Sequence, residues 1–221
     1  MERYVLKDFD FSVDTSVLLD KCHAEEGEEE GDRVLELMAE AMKIGRPKVL
    51  VGEVLVEPQD GDVVRVGGVD IASAFVREKL SQAPVAYAYV ATCGTEVEAW
   101  SATLEDLVDQ YYMDELKKLW IGCAVKALHE DVKTRFAPDA PLSSLNPGSL
   151  KMWPLEGQRE LFRMLGDVEG TIGVHLTDTC LMLPSKSGSG ILFQDHTGHV
   201  NCALCPRTDC PNRRCPKQGA Q

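Results

Sequence analysis

Hydrophobic positions follow two different periods along this chain. Apolar runs and alternations of the kind found in strands occur over 49–56, 63–66, 85–92, 172–176 and 190–193. Apolar side chains at three- and four-residue spacing predict helices over 33–44, 73–80, 95–136 with a break near 111–113, and 153–165. Because strands and helices do not alternate regularly, the pattern favours an α+β fold over a doubly wound parallel sheet.

Two segments between these elements are strongly polar. Residues 24–32 form a run of Glu and Asp, which predicts a solvated loop, with a docking patch for a basic partner as the alternative. Asp32 then caps the helix that follows. Residues 137–152 are rich in Pro, Ser, Gly and Asn, and this loop is longer than a simple connection requires.

Charge excludes two classes of partner. The 221 residues carry a net charge of −13, which argues against nucleic acid bound by bulk charge and against an anionic membrane surface. The N-terminus lacks the pattern of a signal peptide, and no run of apolar residues is long enough to span a bilayer. We therefore expect a cytoplasmic protein.

The chain has eight cysteines, which in a cytoplasmic protein suggest metal or redox chemistry rather than disulfides. Cys22, Cys93, Cys123 and Cys180 are scattered singly and are predicted to be core residues. A catalytic thiol at Cys93, which follows a strand and precedes a helix, is an alternative. It requires a histidine, His129 or His175, to approach the sulfur.

The other four cysteines, Cys202, Cys205, Cys210 and Cys215, form a C-x2-C-x4-C-x4-C segment. Four thiolates suit either tetrahedral zinc or an iron–sulfur cluster. A single C-x2-C pair with prolines after three of the cysteines favours a compact loop around one cluster, a [4Fe–4S] cluster first and zinc as the alternative. A tail without metal is also open, and His196 or His199 could replace one thiolate.

Two motif-bearing stretches carry a family resemblance. One runs from Leu145 to Phe162 and contains Pro147-Gly148 and Trp153-Pro154-Leu155-x-x-Gln158. The other contains Leu176-Thr177-Asp178 and then Pro184-Ser-Lys186-Ser187-Gly-Ser189-Gly190. Together they resemble the activation (reactivation) domain of cobalamin-dependent methionine synthase, and more closely its free-standing relatives in anaerobes.

The resemblance implies a fold and a function. The implied fold is a bent, mainly antiparallel sheet with helices over residues 1–195, followed by a cysteine-rich metal-binding tail over 196–221. The implied function is reactivation of a corrinoid-dependent methyltransferase. The chain would dock against a corrinoid-binding protein or the methionine synthase core and present S-adenosylmethionine to the partner's cobalamin. The tail cluster would relay the electron that remethylation needs.

The resemblance also implies the residues of a ligand groove, for S-adenosylmethionine or the corrinoid. They are Glu130, Pro147, Gly148, Lys186, Ser187, Ser189 and Gly190. The family's Arg-x-x-Pro-Gly-Tyr contact differs here, because Ser144 stands at the Arg position and Ser149 at the Tyr position. We therefore expect the fold and the corrinoid partner to be retained better than nucleotide binding. The alternative function is a non-catalytic corrinoid-protein-binding module with a structural zinc site.

Overall fold

The computed structural model describes residues 2–136, 138, 140–207, 210 and 215. The strands within these residues are β1 (Arg3–Leu6), β2 (Lys48–Pro58), β3 (Val63–Val66), β4 (Val69–Ala72), β5 (Val85–Thr92), β6 (Leu142–Leu145), β7 (His175–Leu176), β8 (Met182–Leu183) and β9 (Ser187–Gln194). The helices are α1 (Thr15–Cys22), α2 (Glu29–Ile44), α3 (Ala74–Leu80), α4 (Thr95–Ser101), α5 (Leu107–Phe136), α6 (Gln158–Leu165), α7 (Val168–Ile172) and α8 (Asn201–Leu204). A 3-10 turn, Leu155–Gly157, leads into α6.

Seven of the strands form one antiparallel sheet in the order β4–β3–β2–β5–β9–β6, with β1 also paired to β2. The long strand β2 joins the two parts of the sheet, since residues 48–55 pair with β5 and residues 56–58 pair with β3. β7 and β8 form a separate two-stranded hairpin. This mixture of helices and antiparallel sheet confirms the predicted α+β fold class.

Alternation along β5 explains how the sheet is covered on both faces. Ala86, Ala88 and Val90 point into a core formed with α6 and α7. Tyr87 and Tyr89 point to the opposite face, where α5 covers them. Because both faces are buried, β5 carries a nearly continuous apolar run. A third apolar cluster, centred on Trp120 of α5, holds α1 and α2 beside the sheet.

The helix boundaries differ from prediction in two places. The long helical region is interrupted over 102–106, not near 111–113, because the Asp106 carboxylate accepts the Val108 N–H at 2.7 Å and starts a new helix there. Helix α2 begins at Glu29 rather than after Asp32, so the end of the acidic run is helical and its carboxylates lie favourably at the positive end of the helix dipole. None of the helices in the described part of the chain is both long and apolar enough to cross a bilayer.

The segments after residue 140 contain three further differences. Residues 168–172 form α7, whose N-terminus is capped by Asp167, so the strand predicted over 172–176 shrinks to the two residues of β7. Strand β6 lies inside the predicted loop 137–152. Residues 187–190, which include three of the predicted groove residues, belong to strand β9, which therefore begins three residues before the strand predicted over 190–193.

Candidate functional site

The Pro147–Gly148 turn follows β6, the edge strand of the sheet. The Ser149 N–H donates to the Asn146 carbonyl at 3.1 Å, and Gly148 has φ +79° at the third position of the turn. Proline at the second position and glycine with positive φ at the third are typical of a type II turn. A Cβ on Gly148 would also lie 3.0 Å from the Leu155 side chain, so backbone geometry and packing both favour glycine there.

Gly190 lies beside this turn, and its missing side chain leaves room for Asn146. A Cβ on Gly190 would lie 2.4 Å from Asn146 Nδ2 and 2.6 Å from the Leu145 carbonyl oxygen. The Asn146 amide nitrogen donates to the Tyr89 hydroxyl at 2.8 Å and to the Ser189 carbonyl at 2.9 Å. The structure therefore brings Pro147, Gly148, Ser189 and Gly190 together through Asn146, a residue that was not predicted to belong to the groove.

Lys186 and Ser187 lie at the beginning of β9, roughly 10–13 Å along the strand from Gly190 at about 3.4 Å per residue. The Ser187 hydroxyl donates to the Thr92 hydroxyl oxygen at 3.1 Å, and the Lys186 carbonyl accepts the Cys93 N–H at 3.1 Å. The Lys186 ammonium pairs with Asp114 of α5 at 2.9 Å. These residues thus form a second group on the same strand.

A polar cavity of about 490 Å³ adjoins this second group. Lys117, only 4% exposed, directs its ammonium at Glu98 (2.8 Å), Asp114 (3.0 Å) and the Ser101 hydroxyl (3.1 Å). Burial alone would lower the pKa of Lys117, but the hydrogen bonds to Glu98 and Asp114 outweigh it and the pKa is raised. All three ammonium protons therefore have acceptors, and Lys117 is a charged structural residue.

Glu130 lies elsewhere, on the exposed side of α5. Its side chain is 68% exposed and 3.8 Å from the Lys126 ammonium. It lines a shallow cavity with residues of the N-terminal segment and with Cys123, and none of the other predicted groove residues lines that cavity. Cys123, predicted to be a core residue, is instead partly exposed there.

Cys93 does not have the environment of a catalytic thiol. Its side chain is fully buried, and burial, followed by the nearby Glu98 carboxylate, raises the pKa of the thiol to about 12. The His175 imidazole is exposed and lies 2.9 Å from Glu169. The complete burial of Cys93 agrees with the prediction of a core residue, and burial together with the raised pKa argues against the alternative of a catalytic thiol.

The base of the tail is fixed to β6. The buried Asp195 carboxylate accepts the N–H and hydroxyl of Thr197 at 2.8 and 2.6 Å and the His199 N–H at 2.6 Å, and the Ser143 hydroxyl lies 2.8 Å from it. Burial alone would raise the pKa of Asp195, but these hydrogen bonds hold it well below its usual range. Asn201 then donates to Asn146 Oδ1 at 3.1 Å, so the start of the tail contacts the Pro147–Gly148 turn through its first residue.

The tail cysteines do not form a preformed metal site. Cys202 and Cys205 lie on one turn, where the Cys205 N–H donates to the Cys202 carbonyl at 3.4 Å, and all four cysteines are partly exposed. In the part of the chain that the structure describes, which includes all four, no three His, Cys, Asp or Glu side chains are grouped so that they could hold a metal ion. The structure therefore gives no support to the predicted cluster or zinc ion, and metal binding by these cysteines stays a prediction.

Comparison with known proteins adds one finding about the fold. No protein-family model matches the chain, and no curated protein matches it either. Among solved structures, the chain is similar to a crystal structure of the MetH reactivation domain bound to AdoHcy. The TM-score is 0.66 with 17% sequence identity, over 90% of this chain and 80% of that one. The reactivation-domain fold predicted from the motifs is thus confirmed at the level of the fold.

Proposed function

We propose that this chain is a reactivation component of a corrinoid-dependent methyltransferase and that it binds S-adenosylmethionine beside Gly190. The observation that carries the proposal is the similarity of 90% of the chain to a reactivation domain whose crystal structure contains AdoHcy. The meeting of the two motif-bearing segments, at Pro147–Gly148 and at Gly190, supports it. Glycine at 190 leaves the space that the Asn146 side chain fills, and this brings the two segments into contact.

The proposed reaction places its chemistry on the partner's corrinoid. One electron from an external reductant converts cob(II)alamin to cob(I)alamin. The cob(I)alamin electron pair then takes the methyl group from the sulfonium, and S-adenosylhomocysteine leaves. The part of this chain is to bind the methyl donor, orient it and dock the corrinoid protein.

Two serines set the expected strength of ligand binding. Ser144 and Ser149 stand where the family has Arg and Tyr, so the groove lacks a guanidinium for the ligand's carboxylate. Ser144 is partly exposed on β6, opposite Leu192 of β9, and its hydroxyl lies 3.4 Å from Asn146 Oδ1. We expect the change Ser144→Arg to tighten binding by roughly tenfold, because a charge-assisted hydrogen bond contributes about 1.5–3 kcal/mol before the entropy cost of ordering the side chain.

Calorimetric titration of the full chain with S-adenosylhomocysteine tests the groove. We expect saturable binding of one ligand per chain, tightened by Ser144→Arg and unaffected by Lys43→Met, which changes an exposed side chain of α2. The variant Glu130→Gln tests the prediction that Glu130 contacts the ligand, since loss of that contact would weaken binding. Absence of binding to both the wild type and Ser144→Arg would refute the proposed ligand and leave the corrinoid-binding module as the better account.

Metal binding by the tail remains a proposal separate from the groove. Because the described arrangement does not gather the four cysteines, metal would have to draw them together, which couples binding to ordering of the tail. We derive no electron-transfer step from it. Anaerobic purification followed by metal analysis distinguishes the outcomes. Iron with inorganic sulfide supports a cluster, stoichiometric zinc supports the structural alternative, and neither metal refutes both.

A further inference from the structure

A series of hydrogen-bonded side-chain amides connects the centre of the sheet to the base of the tail. The contact with one backbone carbonyl determines which atom of each amide is the donor. The Ser189 carbonyl oxygen can only accept, so the Asn146 atom 2.9 Å from it must be the amide nitrogen. The Asn146 oxygen therefore faces Asn201, which must donate its own amide nitrogen at 3.1 Å. The amide orientations follow from this one contact rather than from a choice between equivalent alternatives.

The same reasoning extends to His199. The Asn201 side-chain oxygen faces the His199 Nε2 atom at 2.8 Å, so that nitrogen must carry a proton. The His199 ring also packs edge-on against Phe75 of α3, with ring centroids 5.7 Å apart. This series of amides is thus held at both ends, by the sheet at one end and by α3 and the Asp195 anchor at the other.

Asn146 is the first residue of the type II turn, and its side chain joins the turn to both the sheet and the tail. Its nitrogen donates to Tyr89 and Ser189, and its oxygen accepts from Asn201 and, at 3.4 Å, from the Ser144 hydroxyl. We propose that Asn201 is a positioning residue of the ligand groove: by holding the Asn146 amide, the tail sets the position of the Pro147–Gly148 turn. This inference rests on the proposed function for its ligand, whereas the coupling of the tail to the turn does not.

The variant Asn201→Asp separates this role from a general structural one. The carboxylate still accepts from His199, but it cannot donate to Asn146 and places a negative charge against its oxygen. We expect faster hydrogen exchange at Gly148 and Ser149, whose N–H groups donate to the Trp153 and Asn146 carbonyls respectively. We also expect S-adenosylhomocysteine to bind about fivefold more weakly, the loss that one neutral hydrogen bond produces. Gln194→Ala, at the exposed last position of β9 just before the tail, is the matched control and should change neither quantity.

A double variant adds a readout that a general folding defect would not give. If Asn201 acts on the turn only through Asn146, adding Asn201→Asp to Asn146→Ala should not raise the exchange rate at Gly148 any further. A general folding defect would instead add its effect to that of Asn146→Ala. Unchanged exchange at pH 7 in Asn201→Asp would overturn the inference even if the ligand binds. Absence of ligand binding to wild type would overturn the proposed function while the exchange data still decide the coupling.

Discussion

The Lys186 ammonium lies 2.9 Å from the Asp114 carboxylate, and this ion pair joins the start of β9 to α5. Asp114 also contacts Lys117 at 3.0 Å. Burial alone would raise the pKa of Asp114, but hydrogen bonds from the two lysines outweigh it and lower the pKa below its usual value. A predicted groove residue is thus tied electrostatically to the helix that covers the sheet.

The change Lys186→Met should lower the free energy of unfolding by up to about 1 kcal/mol at low ionic strength. Because Asp114 is partly exposed, salt screens the ion pair, and the loss should be smaller in high salt. Since the pKa of folded Asp114 is depressed, its stabilising contribution is present above the unfolded carboxyl pKa, near 4, and is lost as pH falls further. The difference between wild type and variant in urea unfolding should therefore shrink below about pH 4. An equal loss of stability in Lys126→Met, whose side chain is 77% exposed, would contradict the assignment.

Two glycines of β9 provide a matched pair of variants. Gly190→Ala places a Cβ 2.4 Å from Asn146 Nδ2, so the Asn146 side chain must leave its position. We expect a loss of about 1–3 kcal/mol in stability, as for other overpacked sites. Gly188→Ala, two residues earlier on the same strand, meets no atom within 4 Å and should be nearly neutral. Thermal unfolding of both variants measures the difference, and equal melting temperatures would show that Asn146 does not depend on the space above Gly190.

The Asp195 carboxylate should be the strongest anchor of the tail. In Asp195→Asn the new amide nitrogen would face the N–H groups that now donate to the carboxylate. We therefore expect the free energy of unfolding to fall by roughly 1–3 kcal/mol at pH 7. Because the pKa of folded Asp195 is depressed, the wild-type advantage exists above the unfolded carboxyl pKa and should diminish as pH falls below about 4. Asp62→Asn, in the exposed turn between β2 and β3, is the control for loss of a negative charge. A similar loss in both variants would exclude a special role for Asp195.

Cysteine reactivity should separate buried from exposed thiols. Cys93 has a pKa raised to about 12 by burial, so it should resist iodoacetamide in the folded protein at neutral pH. Cys202 and Cys205 are partly exposed and should be alkylated first. Mass spectrometry of peptides after short labelling measures this order. Labelling of Cys93 as fast as Cys202 would restore the hypothesis of a catalytic thiol.

The strands show which parts of the fold could be predicted. The bounds of β3 and β5 agree with the apolar runs 63–66 and 85–92, because turn residues delimit both runs. β6 could not be found in this way, since an edge strand of only four residues with two serines has no clear apolar period. Helix α7 was not predicted, and its last residue, Ile172, was placed at the start of the strand 172–176 because a short apolar run does not distinguish the two states. The Asp167 cap favours the helix there.

The candidate site was predictable only in part for a related reason. Motifs identified Gly148 and Gly190, but nothing in the local pattern indicated that Asn146 joins them, since this depends on the pairing of β6 with β9. In the tail, cysteine spacing predicts which residues could bind metal. The contact of Asn201 with Asn146 could not be predicted, because it depends on the folded position of the tail.

Reductive remethylation tests the central claim most directly. The full chain is mixed with a corrinoid protein in the cob(II)alamin state, titanium(III) citrate as the electron donor, and S-adenosylmethionine carrying a labelled methyl group. The account predicts that the label appears on the corrinoid, that S-adenosylhomocysteine forms in equal amount, and that the rate falls when this chain is left out. Transfer at the same rate with and without the chain, across a panel of corrinoid proteins, would contradict it.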